Sequence, residues 1–246
     1  MAIGFQYGGG NHVEGCYIGT NAAGTESASS AHQGIHILSS DDNVIGGSSA
    51  SARNLFSGNY VALAVESSDG VVIQGNLFAT DVTGTQPIPN NTAISLAGAN
   101  NATIGGSEDG EGNVISSSNG SGIQMNSGDT IVIRGNYIGT DITGTKAFGN
   151  GMGINVSGNS NVAIGGTGPG DGNLISGNNG YGAYVYNFAE ETTIFGNKIG
   201  TDVTGTLPLG NITGVATSND TGGLRIGGTG PGEANVNSFN SAYLAH

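Results

Sequence analysis

The sequence of 246 residues has little of what many binding proteins and enzymes rely on. Tryptophan is absent and Cys16 is the only cysteine, so no disulfide can form within the chain. Lysine and arginine number 5 against 18 aspartates and glutamates, which gives a formal net charge of −13. This shortage of basic residues argues against nucleic-acid binding, which needs positive charge to neutralise phosphate. No apolar run approaches the ~20 residues of a membrane-spanning helix, so no membrane span is expected.

Repetition, by contrast, is abundant. The segment Gly-Asn-x-Ile-Gly-Thr-Asp, or a variant of it, begins at residues 15, 75, 135 and 196. A fixed period of about sixty residues predicts one structural unit stacked on copies of itself. We expect a single domain, 1–246, that is a segment of a longer array. Its predicted parts are the end of a preceding repeat at 1–14 and repeats at 15–74, 75–134, 135–195 and 196–246.

Each repeat has two halves, and each half contains three short apolar runs. Runs of three to five residues are too short for helices but suit strands between turns. Alternation supports this interpretation, since Ile154 and Val156 can point inward while Asn155 points outward. Three strands per half-repeat, with no room for a crossover helix, predict an all-β, right-handed parallel β-helix of about eight rungs. At ~4.8 Å per stacked strand the solenoid would be about 40 Å long.

Glycine and asparagine mark the predicted turns. The 48 glycines provide many positions that can adopt positive φ. Stacked asparagine side chains can hydrogen-bond along a solenoid as a ladder. The predicted ladder consists of Asn54, Asn76, Asn113, Asn136, Asn173, Asn197 and Asn235. Cys16 occupies the same position in the first repeat, where we expect a buried, unreactive thiol.

Three motifs carry a family resemblance, and they are clearest at 135–145, 164–166 and 172–178. They read Gly-Asn-x-Ile-Gly-Thr-Asp-x-Thr-Gly-Thr, Ile-Gly-Gly and Gly-Asn-x-Ile-Ser-Gly-Asn. The pattern resembles the right-handed parallel β-helix repeats of large bacterial surface and secreted proteins, within the pectin-lyase-like class, and covers essentially the whole chain. The resemblance implies an extracellular or cell-surface location. It also implies a range of functions, from adhesin segments and structural arrays to polysaccharide-active enzymes.

Two kinds of acidic turn are candidates for calcium binding, and calcium is the only cofactor that the sequence suggests. The Thr-Asp-x-Thr-Gly-Thr turns repeat one aspartate, which either binds calcium or closes an Asx turn by accepting backbone N–H groups. These aspartates are Asp81, Asp141 and Asp202. The densest acidic turn holds Glu108, Asp109 and Glu111, which form our candidate metal site. The alternative for that turn is a solvated loop.

A lyase or epimerase acting on acidic polysaccharide would need a base, an acid and a cation for the uronate carboxylate. Arg134 and Lys198 flank Gly-Asn turns near Asp141 and Asp202, so these four residues are the candidate catalytic cleft for that alternative. The other interpretation is variation on the surface of a scaffold. We favour the scaffold and therefore expect no catalytic residues.

Aromatic residues and the solenoid ends suggest partners. Tyr184 and Tyr186 should point outward, because the residues between and before them point inward, and Tyr181 lies close by. Exposed tyrosines can stack on sugar rings or contact a protein, so the three form a candidate binding surface. Uncapped strand edges at both ends would allow head-to-tail self-association.

The main hypothesis is therefore an extracellular structural or adhesive module that assembles end to end. One alternative is a polysaccharide-active or carbohydrate-binding domain. A calcium-stabilised spacer is the other.

Overall fold

The computed structural model describes residues 1–28, 32–187, 189–219 and 221–241. These residues form 24 short strands and no helix, so none of them belongs to a helix that could cross a membrane. The strands lie in three parallel sheets of eight strands each, which confirms the predicted all-β parallel β-helix. Eight stacked strands per sheet correspond to about seven full turns, close to the eight rungs expected. Residues 242–246, which close the fourth predicted repeat, lie outside the described residues.

Sheet 1 contains the long strands of the solenoid. Its strands are β1 (Ile3–Gln6), β4 (Gln33–Leu38), β7 (Val61–Glu66), β10 (Thr92–Ala97), β13 (Ser121–Asn126), β16 (Met152–Ser157), β19 (Tyr181–Tyr186) and β22 (Thr213–Ser218). The predicted alternation holds in β16, where Ile154 and Val156 are fully buried in the core. Asn155 between them pairs in register with Tyr184 of β19 on the outer face.

Sheets 2 and 3 are built mostly from strands of two or three residues, although two strands of sheet 2, Asp129–Arg134 and Ser160–Gly165, have six each. Sheet 2 consists of β2 (His12–Val13), β5 (Val44–Gly46), β8 (Val72–Gln74), β11 (Thr103–Gly105), β14 (Asp129–Arg134), β17 (Ser160–Gly165), β20 (Thr193–Phe195) and β23 (Arg225–Ile226). Sheet 3 consists of β3 (Tyr17–Ile18), β6 (Leu55–Phe56), β9 (Leu77–Phe78), β12 (Val114–Ile115), β15 (Tyr137–Ile138), β18 (Leu174–Ile175), β21 (Lys198–Ile199) and β24 (Val236–Asn237).

The core is a stack of like side chains. In-register parallel pairing places Ile45 on Ile73 and Ile73 on Ile104, and all three are fully buried. The rings of Phe56 and Phe78 stack in the same way, with centroids 4.9 Å apart and planes 8° from parallel. Because each inward position meets its own equivalent, the β-branched residues of successive rungs pack with little change in shape from one layer to the next.

A rung is three consecutive strands, one from each sheet, so rung 1 is β1–β2–β3 and rung 8 is β22–β23–β24. Two kinds of rung alternate. Odd rungs end in a long loop after sheet 3; we call these the Thr loops, residues 20–27, 80–87, 140–147 and 201–208. Even rungs carry a long loop between sheets 2 and 3; we call these the Gly loops, residues 47–53, 106–112, 166–172 and 228–234. This alternation is why the sequence repeats every two rungs.

An asparagine ladder runs along the corner between sheets 2 and 3. Asn113 donates its backbone N–H and its side-chain Nδ2 to Asn136 Oδ1, at 3.0 and 2.9 Å. Its Nδ2 also donates to the carbonyl of Ile73, at 2.8 Å. The same backbone bond links Asn54, Asn76, Asn113, Asn136, Asn173, Asn197 and Asn235 in order. Cys16 begins the series by donating its N–H to Asn54 Oδ1, and it is half-buried rather than buried.

A second ladder, not predicted from the sequence, runs along the corner between sheets 3 and 1. Asn150 donates its backbone N–H and its Nδ2 to Asn178 Oδ1, at 3.2 and 3.0 Å. Its members are Asn59, Asn90, Asn150, Asn178, Asn211 and Asn240. Ser118 occupies the place between Asn90 and Asn150 and donates its N–H to Asn150 Oδ1. Two of the three corners are therefore tied from rung to rung by buried amides.

Candidate functional site

Each Thr loop is a small hairpin closed by a carboxylate or an amide. In the second loop, Asp81 Oδ1 accepts the backbone N–H groups of Thr85 and Gln86, at 2.9 and 3.0 Å. The Thr83 hydroxyl contacts both carboxylate oxygens, at 2.9 and 2.7 Å. The equivalent residues make matching bonds in the other loops: Asn21, Asp141 and Asp202. These side chains close an Asx-type turn, which was one of the two predicted roles.

Hydrogen bonding also sets the acidity of these aspartates. Burial by itself would raise the pKa of Asp81, but the Thr83 hydroxyl and the N–H groups of Gln86 and Thr85 outweigh it and hold the pKa below 3.8. The Thr204 hydroxyl likewise lowers the pKa of Asp202, against the opposing effect of burial. Both carboxylates are therefore stabilised as anions by their own loops.

The Thr loops stack directly on one another. Val82 of the second loop donates its backbone N–H to Gly24 of the first, at 2.9 Å. Ile142 bonds to Gly84 in the same way, at 3.1 Å. Because each loop reaches its equivalent two rungs away, the four loops form a continuous column outside the solenoid.

The Gly loops form a second column. Gly110 has a φ of +84°, and a Cβ at that position would lie 2.0 Å from the carbonyl oxygen of Ser48 in the preceding Gly loop. The next loops pack equally closely through Gly170 and Gly232. Only glycine combines this backbone conformation with so close an approach.

An acidic side chain closes each of the last three Gly loops internally. Asp171 accepts the N–H of Gly168 at 2.8 Å and the Ser107 hydroxyl of the preceding Gly loop at 2.6 Å. The Ser107 bond, followed by the Gly168 N–H and the charge of Arg134, lowers the pKa of Asp171 although burial opposes this. Arg134 lies 3.7 Å from the carboxylate.

The predicted metal site lies in the second Gly loop. Glu111 Oε2 accepts the N–H of Glu108 at 3.2 Å, so this carboxylate closes its own turn. Among the residues that the structure describes, no three histidine, cysteine, aspartate or glutamate side chains come together to share a metal ion. Glu108, Asp109 and Glu111 therefore do not converge, and calcium binding stays a prediction.

Between the two loop columns, the outer face of sheet 3 forms a groove, which we call the sheet-3 groove. Its floor is the first residue of each of the first seven sheet 3 strands: Tyr17, Leu55, Leu77, Val114, Tyr137, Leu174 and Lys198. Burial by its neighbours raises the pKa of the Tyr137 hydroxyl. Tyr17, at the opening of the groove, is 45% exposed.

Three equivalent depressions lie along this groove, with volumes of about 310, 350 and 330 Å³. Each spans two rungs and is bordered by one branched side chain of a Thr loop. They lie between Tyr17 and Leu77 beside Val82, between Leu77 and Tyr137 beside Ile142, and between Tyr137 and Lys198 beside Val203. The depressions thus follow the two-rung repeat.

The four residues of the alternative catalytic cleft occupy separate places. Lys198 lines the third depression and donates its Nζ to the carbonyl of Val203, at 2.5 Å. Arg134 lies at the end of β14 in sheet 2, beside a Gly loop, and does not line that depression. Asp141 and Asp202 are buried within their Thr loops. The structure does not bring the four side chains together around one depression.

The three predicted surface tyrosines lie together on β19 as a stack. The ring centroids of Tyr181 and Tyr184 are 4.8 Å apart, and those of Tyr184 and Tyr186 are 4.6 Å apart, with planes 26° and 9° from parallel. The Tyr184 hydroxyl is 2.6 Å from the Ser218 hydroxyl on β22. Because the middle ring has a neighbour on each face, a sugar ring could stack only on Tyr181 or Tyr186.

Comparison of the sequence with models of known protein families gave no match. A search of curated proteins likewise found no relative.

Proposed function

We propose that this chain is a structural module of an extracellular or cell-surface protein, a rigid rod that also offers an adhesive surface. One observation carries the proposal: the polar residues that recur along the sequence are hydrogen-bonded within the solenoid. The ladder asparagines and the Thr-loop aspartates are examples, and Asn113 and Asp141 are at most 1% exposed. A repeat whose recurring polar groups stabilise its own stacking is suited to a scaffold.

The extracellular location rests on the resemblance to the repeats of bacterial surface proteins. Antibodies raised against the chain should label intact cells of the source organism. Labelling that requires permeabilised cells would contradict this location.

The adhesive surface that we propose is the tyrosine stack on β19. Tyr186 ends the stack, so one face of its ring is not covered by the other two tyrosines. We expect retention on a column of immobilised polysaccharide to fall in Tyr186→Ala. Tyr60→Ala is the matched control. Tyr60 is 59% exposed and directly precedes β7 in rung 3, whereas β19 belongs to rung 7. Equal retention of both variants and the parent protein would contradict a role for the stack.

We further propose that two copies associate head to tail, the last rung of one copy against the first rung of the next. In rung 8, Ile226 and Val236 are 49% and 42% exposed, whereas Ile194 of rung 7 is fully buried by its neighbours on both sides. Parallel pairing with a strand of a second copy would cover these side chains and form hydrogen bonds with the unpaired backbone N–H and C=O groups of the edge strands.

Sedimentation over a range of concentrations, with electron microscopy of the same samples, tests this association. We expect rods or filaments one solenoid wide, and their loss in Ile226→Asp. Leu207→Asp is the control, since Leu207 is 60% exposed at a Thr loop rather than on the end of the solenoid. A monomer at every concentration would argue against self-assembly and leave a rod of single copies.

A further inference from the structure

We propose that the sheet-3 groove binds a proline-rich peptide segment in the polyproline II conformation. This goes beyond the structural role proposed above and rests on different residues. The starting observation is that the three depressions of the groove are copies of one another, repeated every two rungs. A groove with a repeating floor selects a ligand that presents the same group at the same interval.

The interval matches polyproline II. Two rungs correspond to about 9.4–9.8 Å along the solenoid, since stacked strands are ~4.7–4.9 Å apart. Polyproline II has three residues per turn and rises ~3.1 Å per residue, which gives about 9.3 Å per turn. Over the three depressions the two periods drift apart by about 1.5 Å at most. One turn of the ligand can therefore occupy each depression.

The lining of the groove suits such a ligand. Its exposed ridges are aromatic: Tyr137 separates the second depression from the third and Tyr17 closes one end, whereas Leu77 is buried at the base between the first two. Grooves lined by aromatic side chains are how proline-rich segments are recognised, because the peptide is already extended and loses little entropy on binding.

Charge selects the composition of the peptide. Arg53 lines the first and second depressions, but Glu108 and Asp109 outnumber it in the second, in a protein of net charge −13. Lys198 lines the third depression. A peptide with a lysine or arginine beside the second depression and no basic residue beside the third would complement the charges of both depressions.

The test is fluorescence anisotropy with a labelled nine-residue peptide that has proline at two of every three positions and one central lysine. We expect saturable binding that weakens about five- to tenfold in Tyr17→Ala, because an aromatic anchor is lost. The double variant Glu108→Gln/Asp109→Asn should also bind more weakly and show less dependence on salt. Tyr60→Ala is the control and should bind like the parent protein. Circular dichroism of each variant verifies the fold.

Several results would overturn the proposal. They are no saturable binding up to millimolar peptide, equal binding of a peptide with glycine in place of proline, and equal effects of Tyr17→Ala and Tyr60→Ala. A neutral glucose oligomer that binds in a Tyr17-dependent manner while the peptide does not would assign the groove to a glycan instead. Glu108→Gln/Asp109→Asn supplies an independent reading if Tyr17→Ala proves unstable, because both acidic residues lie in an exposed turn.

Discussion

The asparagine ladder can be tested by removing one member from its centre. Asn113→Ala deletes four side-chain hydrogen bonds. Asn113 Oδ1 accepts two of them, from the backbone N–H of Asn76 at 3.0 Å and from Asn76 Nδ2 at 3.1 Å. Asn113 Nδ2 donates the other two, to the carbonyl of Ile73 and to Asn136 Oδ1. The Asn76 N–H is left buried without its acceptor, which costs about 1–3 kcal/mol, and the other bonds add a fraction of this. We expect Asn113→Ala to lower the free energy of unfolding by about 3 kcal/mol.

The same substitution at the end of the ladder should cost much less. Asn235 accepts two bonds from Asn197, at 2.9 and 3.1 Å, and donates one to Ile194 at 2.7 Å. It is only partly buried, so water can replace the lost partners, and we expect Asn235→Ala to cost about 1 kcal/mol. Asn113→Ala loses one bond more than Asn235→Ala, and the rest of the contrast comes from burial, since the other three bonds are alike.

Urea unfolding followed by far-ultraviolet circular dichroism measures the difference. Asn119→Ala is the control, because Asn119 is exposed in the same rung as Asn113 and should change stability by less than about 0.5 kcal/mol. The midpoints are comparable only if the urea dependence of the variants is unchanged. Equal losses in Asn113→Ala and Asn235→Ala, or a loss below about 1 kcal/mol in the first, would show that buried ladder bonds do not hold the rungs together.

Three further predictions concern the loops. Gly110→Ala should cost at least about 2 kcal/mol more than Gly205→Ala, because both have φ above +80° but only Gly110 abuts a neighbouring carbonyl; similar urea midpoints would contradict loop stacking. Folding lowers the pKa values of Asp81, Asp171 and Asp202 below 3.8. The stability that these carboxylates contribute is therefore fully present when the pH is above their pKa in the unfolded chain, and it is lost as the pH falls through their lower pKa values in the folded protein. The urea concentration at the unfolding midpoint should therefore decrease as the pH is lowered below about 4. A midpoint that stays constant down to pH 2 would refute this. If the loops close themselves without a metal, adding a chelator should leave the melting temperature unchanged; a calcium-dependent rise would support the alternative of a calcium-stabilised spacer.

The fold could be predicted because short local sequence patterns determine it and these patterns repeat along the chain. Ile154 and Val156 flank Asn155 in a run too short for a helix, and similar short runs recur from rung to rung. The first ladder was visible for a related reason. Its asparagines mostly follow glycine and precede a short apolar pair, so the motif marks the corner wherever it occurs.

The second ladder was hidden because its neighbours change with the type of rung. Asn178 follows Ser-Gly at a short corner, whereas Asn150 follows a Thr loop and Phe148-Gly149. Ser118 also interrupts the series. No common motif therefore identifies its members until the corners are superimposed in space.

The candidate sites depend on side-chain rotamers and on contacts between distant loops, which the spacing of residues in the sequence does not reveal. Outward positions on β19 could be inferred from alternation, but the stacking of Tyr184 between two rings is decided by side-chain rotamers. The sheet-3 groove was missed because its walls come from loops in different rungs. Likewise Lys198 and Arg134 are close to similar turns in sequence, yet they lie on different sheets.

The alternation of loop types has a consequence for how such a protein can change in length during evolution. Duplication of a single rung would keep an asparagine at each ladder corner, but it would place a Thr loop where its stacking partner two rungs away is missing. Val82 and Ile142 would then lose the carbonyls that accept their N–H groups. Duplication of two rungs, about sixty residues, preserves both columns and the groove between them. Gene segments encoding whole pairs of rungs are therefore the units in which we expect this solenoid to have grown.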